Sequence, residues 1–243
     1  MQAKTLRCRL LAKDAISKFA TLKCVKDKLL CVLPLGLLLL TWELISSFCL
    51  VSAQLAPPPS RVFMVLISKL CTMSFASMVI RSFLNLTIGI LLALIMATPI
   101  AICAGLRKRV DTTVTPSIMV APSLPDLALL PLLTVWFGEG STTAILMASI
   151  CGFFPIYFTM REGVRSIPSE YIQVSSVFHS NKIDLVEKLI MPAIVPQVIT
   201  GLRLAFDFVW EVILAIEIIA QVVGIGSFIT MSVEQQSIDA AFA

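Results

Sequence analysis

Charge is scarce in this chain of 243 residues: only 14% are Asp, Glu, Lys or Arg, against roughly 25% in an ordinary soluble domain. That deficit, with 58% hydrophobic residues and a mean hydropathy of +0.94, excludes the soluble globular class. Histidine occurs once, as His179, so neither a histidine-rich metal site nor a Ser-His-Asp arrangement has material to draw on. No G-x-x-x-x-G-K-[ST] phosphate loop is present, and the chain does not hydrolyse ATP by itself. Cys8, Cys24, Cys31, Cys49, Cys71, Cys103 and Cys151 form no C-x-x-C pair. Most lie in or beside apolar runs, where a thiol behaves as a small apolar side chain. No catalytic residue, metal, cofactor or nucleic-acid partner is expected.

What the chain has is long apolar runs. Helices satisfy their own backbone hydrogen bonds in lipid, and about 20 apolar residues cross a bilayer. Alternation of the β-barrel kind is absent. Five spans are expected, at about 29–51, 82–104, 115–137, 142–160 and 198–223. Pro57, Pro58 and Pro59 end the first, since consecutive prolines cannot continue a helix. The stretch 60–81 reads as amphipathic and interfacial. Pro116, Pro122, Pro125 and Pro131 each remove a backbone donor, which predicts a third span that is bent or locally unwound.

Orientation follows from Lys and Arg. Eight of them precede the first span, from Lys4 to Lys28, which puts residues 1–28 in the cytoplasm. No small-residue cleavage site precedes an apolar core of ordinary length there, so the segment is read as an uncleaved anchor. Alternation then places Arg107, Lys108 and Arg109 inside, together with a polar island from Arg161 to Lys188. Segment 52–81 and the tail after Val223 fall outside. The domain is read as 29–243, with a cytoplasmic loop at about 161–197.

Within the island, Ile172, Val174, Val177 and Phe178 alternate with Glu170, Gln173, Ser175 and Ser176. Ile183, Leu185, Val186 and Leu189 do the same around Asp184, Glu187 and Lys188. Two short amphipathic helices of this kind fit a helix-in-groove interface; the other reading lays them on the bilayer surface. In the fifth span Arg203, Asp207 and Glu211 recur at four-residue spacing on one helical face, with Glu217 further along. Charge at membrane depth is costly unless paired or facing a cavity. Either these groups face a pathway or one another, or an Arg203–Asp207 pair only holds the helix in place. Asp126 and Glu43 are further acids within apolar runs.

Pro125, Pro131, Trp136 and Gly138, then Phe154 and Pro155 with Gly163, Arg165 and Pro168, then Pro192 and Pro196 with Gly201 and Arg203, keep an order and spacing that resemble the membrane permease subunits of type I ABC importers. The branch is the one serving nitrate, taurine and aliphatic sulfonates, and the likeness runs from Trp42 to Phe228. The family's loop pattern is Glu-Ala-Ala, three residues, Gly, nine residues, Ile-x-Leu-Pro. Set on Pro192, it falls on Gln173, Val174 and Ser175, on His179 for the glycine, and on Leu189, Met191 and Pro192. His179 departs from the pattern by carrying a Cβ in the turn, and Asn181 is an alternative bend.

The resemblance implies an all-α polytopic permease in a bacterial inner membrane, working as a homodimer. It also implies two ATPase subunits docked at the loop and a periplasmic or lipid-anchored solute-binding protein outside. Asp126, Arg203, Asp207, Glu211 and Glu217 would line the pathway, which opens by alternating access. A sixth span found in the family is expected beyond Ala243. Two further readings stay open: a permease for a thiamine-precursor pyrimidine or similar nutrient, and a non-transporting paralogue or scaffold.

Overall fold

The computed structural model describes residues 33–48, 56–177 and 182–242. The basic N-terminus and the expected turn at Phe178 and His179 lie outside them. All described secondary structure is helical, and the chain divides into two compact units, 1–67 with 236–243, and 68–235.

The first unit contains α1 (Leu33–Ser47), the greater part of α2 (Pro59–Leu70) and the short α12 (Ile238–Ala241). Glu43 is not an idle acid in an apolar run. Its carboxylate accepts hydrogen bonds from the Ser60 backbone N–H at 3.1 Å and the Ser60 hydroxyl at 2.8 Å, so it caps the free donors that open α2. Arg61 pairs with Asp239 at 2.7 Å, and Trp42 meets Phe242 with ring centroids 6.3 Å apart.

The second unit is built on three long helices: α3 (Met73–Leu106), α6 (Ser141–Arg165) and α10 (Val195–Ile219). α6 lies between the other two and buries the most. Thr143, Ala144, Met147, Ala148, Cys151, Ile156, Tyr157 and Met160 are all enclosed. Lipid is as apolar as leucine, so apolar burial alone does not drive such helices together; close packing does. Gly152 shows the means. A Cβ there would meet Val209 of α10 at 3.2 Å and Ala93 of α3 at 3.3 Å, so glycine lets α6 approach both neighbours. α10 answers with Gly201, Ala205 and Val209, buried at four-residue spacing.

α3 corrects the expectation of an interfacial segment at 60–81. It runs 34 residues, about 50 Å at 1.5 Å per residue. No break separates Met73 from the apolar run, and Phe75 near its start is buried against Phe228, with centroids 4.8 Å apart. Only α2 keeps the separate amphipathic character. The expected third span starts earlier, as α4 (Lys108–Val120), and breaks in two short 3-10 turns, Ala121–Ser123 and Asp126–Leu129. It resumes as α5 (Leu130–Phe137) after a 91° bend. The prolines explain the break as expected, because a helix cannot complete its ladder through so many missing donors.

By length and composition two described helices, α3 and α6, can cross a membrane, or three if the bent pair is one span. α10 has the length as well but carries Arg203, Asp207, Glu211 and Glu217. Part of the tail after Val223 forms α11 (Ile225–Glu234), which packs against α10 and α3.

Candidate functional site

α7 (Ser169–Val177) follows α6 after a three-residue turn through Pro168. Tyr171 and Val174 are 59% and 55% exposed; Gln173 is exposed and Ser175 half-buried. An apolar pair held in solvent on a short helix is a surface in want of a partner. The second half of the island departs from the two-helix expectation. α8 (Lys182–Asp184) opens into a π-helical turn, Leu185–Ile190, and then α9 (Met191–Ala193), before Ile194 breaks the run ahead of α10. Pro192 accounts for the wide turn: a proline ring in a regular α-helix collides with the carbonyl four residues back, here that of Lys188. Leu189 and Met191 are half-buried and Pro192 is exposed. Lys188 is bridged to Asp184 at 2.7 Å, which raises its ammonium pKa.

At the root of this loop lies a cluster that sequence reading missed. Asp111, in the first turn of α4, accepts from Arg161 through Nε at 2.5 Å and Nη2 at 2.7 Å, and from Arg165 Nη1 at 3.0 Å. The Thr115 hydroxyl donates to the same carboxylate at 2.6 Å, which leaves the Tyr157 hydroxyl, 2.7 Å from Thr115, to donate in turn. The Arg161 and Asp111 side chains are 12% and 13% exposed. Planar guanidinium on carboxylate is the strongest geometry such a pair can adopt. The cluster also sets the basic turn Arg107–Arg109 and the start of α7 at one end of the bundle. Only the i, i+4 spacing of Arg161 and Arg165 was visible in the sequence; their partner is fifty residues away.

α10 separates its four charges. Arg203, Asp207 and Glu211 are exposed, two residues out of phase with buried Gly201, Ala205 and Val209, and therefore on the opposite side of the helix at 100° per residue. None of the three forms an ion pair among the described residues, so the reading of an Arg203–Asp207 pair holding the helix finds no contact here.

Glu217 is different, and its expected place among pathway groups is corrected. It is fully buried, accepting from the Ser82 hydroxyl at 2.6 Å and the Gly226 N–H at 2.8 Å, while Ser82 accepts from the Ile225 N–H at 2.9 Å. Its carboxylate thus closes the N-terminus of α11 onto α3 and α10. Gly224 and Gly226 have no side chain because one would run into Glu217. Asp126 sits in the bend, against Cys151 of α6, in a turn that also packs on α10.

Comparison with known proteins agrees with this architecture. Residues 89–243 match the family described as binding-protein-dependent transport system inner membrane component. The chain is 27% identical over 214 residues to the taurine transport system permease protein TauC of Escherichia coli (strain K12), covering 86% of this chain and 78% of that protein. It is 27% identical over 188 residues to the putative aliphatic sulfonates transport permease protein SsuC of Bacillus subtilis (strain 168), covering 77% and 68%. Against the bicarbonate transport system permease protein CmpB of Synechococcus elongatus the identity is 32% over 157 residues, covering 64% and 56%. With its helical bundle, bent third segment and exposed loop helix, the chain belongs to the binding-protein-dependent transport system inner membrane components, as a permease of the type I ABC importer class.

Proposed function

We propose that this multi-pass inner-membrane permease takes up a small anionic or sulfonate-bearing solute, with its ATPase docked on α7 and the adjoining Lys182–Ala193 segment. ATP hydrolysis belongs to a separate subunit of such importers. The carrying observation is the exposed face of α7, rooted at the same end of the bundle as the basic turn Arg107–Arg109. Positive residues favour the cytoplasmic side, which supports an inward-facing loop and a cytoplasmic N-terminus. Gln173, Val174 and Ser175 then contribute the docking helix, with Leu189, Met191 and Pro192 framing its far side. Val177, Phe178 and His179 complete the proposed contact in the sequence order of the family.

Closure of two ATPases would draw two such loops together and switch the permease between inward-open and outward-open forms, a rigid-body transition of packed helices. A homodimer is favoured by the charges on α10. Arg203, Asp207 and Glu211 face away from their own bundle, and in a membrane such a face needs an aqueous path or a second subunit, not lipid. With Asp126 in the bend, they are the proposed pathway groups. A solute-binding protein would deliver cargo from outside. The solute class rests on the relatives' names, which include taurine, aliphatic sulfonates and bicarbonate.

The test is reconstitution of the chain with an ATPase and a solute-binding protein of the same importer class, followed by uptake of taurine, alkanesulfonates, nitrate and bicarbonate. ATP-dependent accumulation of one of them is expected; uptake without nucleotide, or none of any solute, would reject the reading. Val174→Asp should reduce ATPase co-purification by about tenfold, because a charge in a docking groove is desolvated without a partner. The fold should be untouched, since Val174 is exposed. Equal co-purification would move the docking surface elsewhere.

A further inference from the structure

We propose that Asp111, with Arg161 and Arg165, is the joint through which the loop moves the bent third segment, so that Asp111 is a positioning residue for transport. This rests on the docking reading above.

Three features of the cluster point beyond a simple staple. First, it connects particular elements. Arg165 is the last residue of α6, at the point where the chain turns toward α7, and Arg161 lies one helical turn earlier on the same face. Asp111 is on α4, which runs directly into the bend carrying Asp126. A displacement of the loop root therefore reaches α4 through side chains alone, with no intervening loop to absorb it.

Second, beyond its junction with α3 at Arg107, α4 has little else to hold it. Its only buried residue is Thr115, itself a member of the cluster, and its further packing comes from half-buried Val110 and Ile118. The position of α4 relative to α6 is thus governed by these bonds. Third, the bonds are stiff in direction. Two guanidinium donors on the two carboxylate oxygens fix angle as well as distance, and the Tyr157–Thr115–Asp111 relay fixes the carboxylate from the other side. Arg165, 48% exposed, is the member nearest solvent and so the one a docked subunit would displace first. The test therefore reads coupling itself.

The test uses the complete transporter in proteoliposomes, permease with its ATPase and binding protein, and measures ATP hydrolysed and solute accumulated in the same vesicles. Asp111→Asn keeps the size and removes the charge. It should leave the complex assembled and hydrolysing ATP while solute moved per ATP falls by about tenfold, within the range of ordinary coupling energies. Arg161→Lys keeps charge but not the two-point geometry, and should lower the same ratio by a smaller factor. The exchange Asp111→Arg with Arg161→Asp should recover part of it. If hydrolysis and uptake decline together, in proportion to the folded complex recovered, the cluster is a staple and the proposal is overturned. An unchanged ratio in both single variants overturns it as well. Failure of the unmodified complex to assemble would instead count against the docking reading, which keeps the two failures apart. Should Asp111→Asn not insert, Arg161→Lys and the exchange decide the matter by the same ratio.

Discussion

Two carboxylates fasten short helices to the α3–α6–α10 core, one at each end, and they are satisfied by opposite means. Asp111 holds α4 with two arginines at a half-open, strongly basic end. Glu217 holds α11 in full enclosure and, among the described residues, without an ion pair, using a serine hydroxyl and the free N–H groups of the helix it caps. The lesson is one of reach. Where arginines meet the carboxylate a salt bridge serves; where none of the described cations meets it, as at Glu217, backbone dipoles supply the positive ends. The first arrangement tolerates water at its rim. The second does not, because its groups are enclosed and satisfy one another.

That contrast can be broken by mutation, beginning with the enclosed node. Glu217→Ala leaves the Gly226 N–H buried without its acceptor and the Ser82 hydroxyl with only the longer contact to the Met78 carbonyl at 3.3 Å, and should cost about 3 kcal/mol. Thermal unfolding in detergent reads this directly; an unaltered melting temperature would mean that α11 is held by packing alone. Next comes Arg161→Ala, which strips Asp111 of its two-point partner but leaves it Arg165 and Thr115. A loss of about 2 kcal/mol is expected, less than for a fully buried pair because some water reaches the site. If it proved more damaging than Glu217→Ala, the ranking of the two ends would be inverted. Smallest is Arg165→Ala, which should change stability by less than about 0.5 kcal/mol, since a half-exposed ion pair is largely screened. A large loss there would show that the basic end is as closed as the other.

Much of the bundle was legible beforehand. The runs that became α3, α6 and α10 are too long and apolar to be anything but helices, and the prolines announced the bend between α4 and α5. α7 was visible in the spacing of Val174 and Val177. The errors were of two kinds. No interfacial segment ends at Arg81, because a single exposed charge does not stop a helix whose backbone ladder is intact. Glu217 was grouped with Arg203, Asp207 and Glu211 by proximity along α10, although six residues beyond Glu211 is about 600° of rotation and a different face. The wide turn before Met191 was not foreseen either, because Pro192 can be accommodated by a break, a kink or a π turn, and only its neighbours choose.

The sequence alone determined that this is a helical membrane protein, since composition without β-barrel alternation leaves no other way to satisfy the backbone in lipid, and the order and spacing of its Pro and Gly motifs carried the resemblance to permeases. It also determined which side of α10 would be charged and which would be small. Tertiary structure alone decided what the acids do. Asp111 meets Arg161 across fifty residues of chain, and Glu217 meets Ser82 across 135. Such partners are chosen by which helix faces lie opposite each other, and that is fixed by the packing of Gly152, Ala93 and Val209 rather than by any local pattern around the acids themselves.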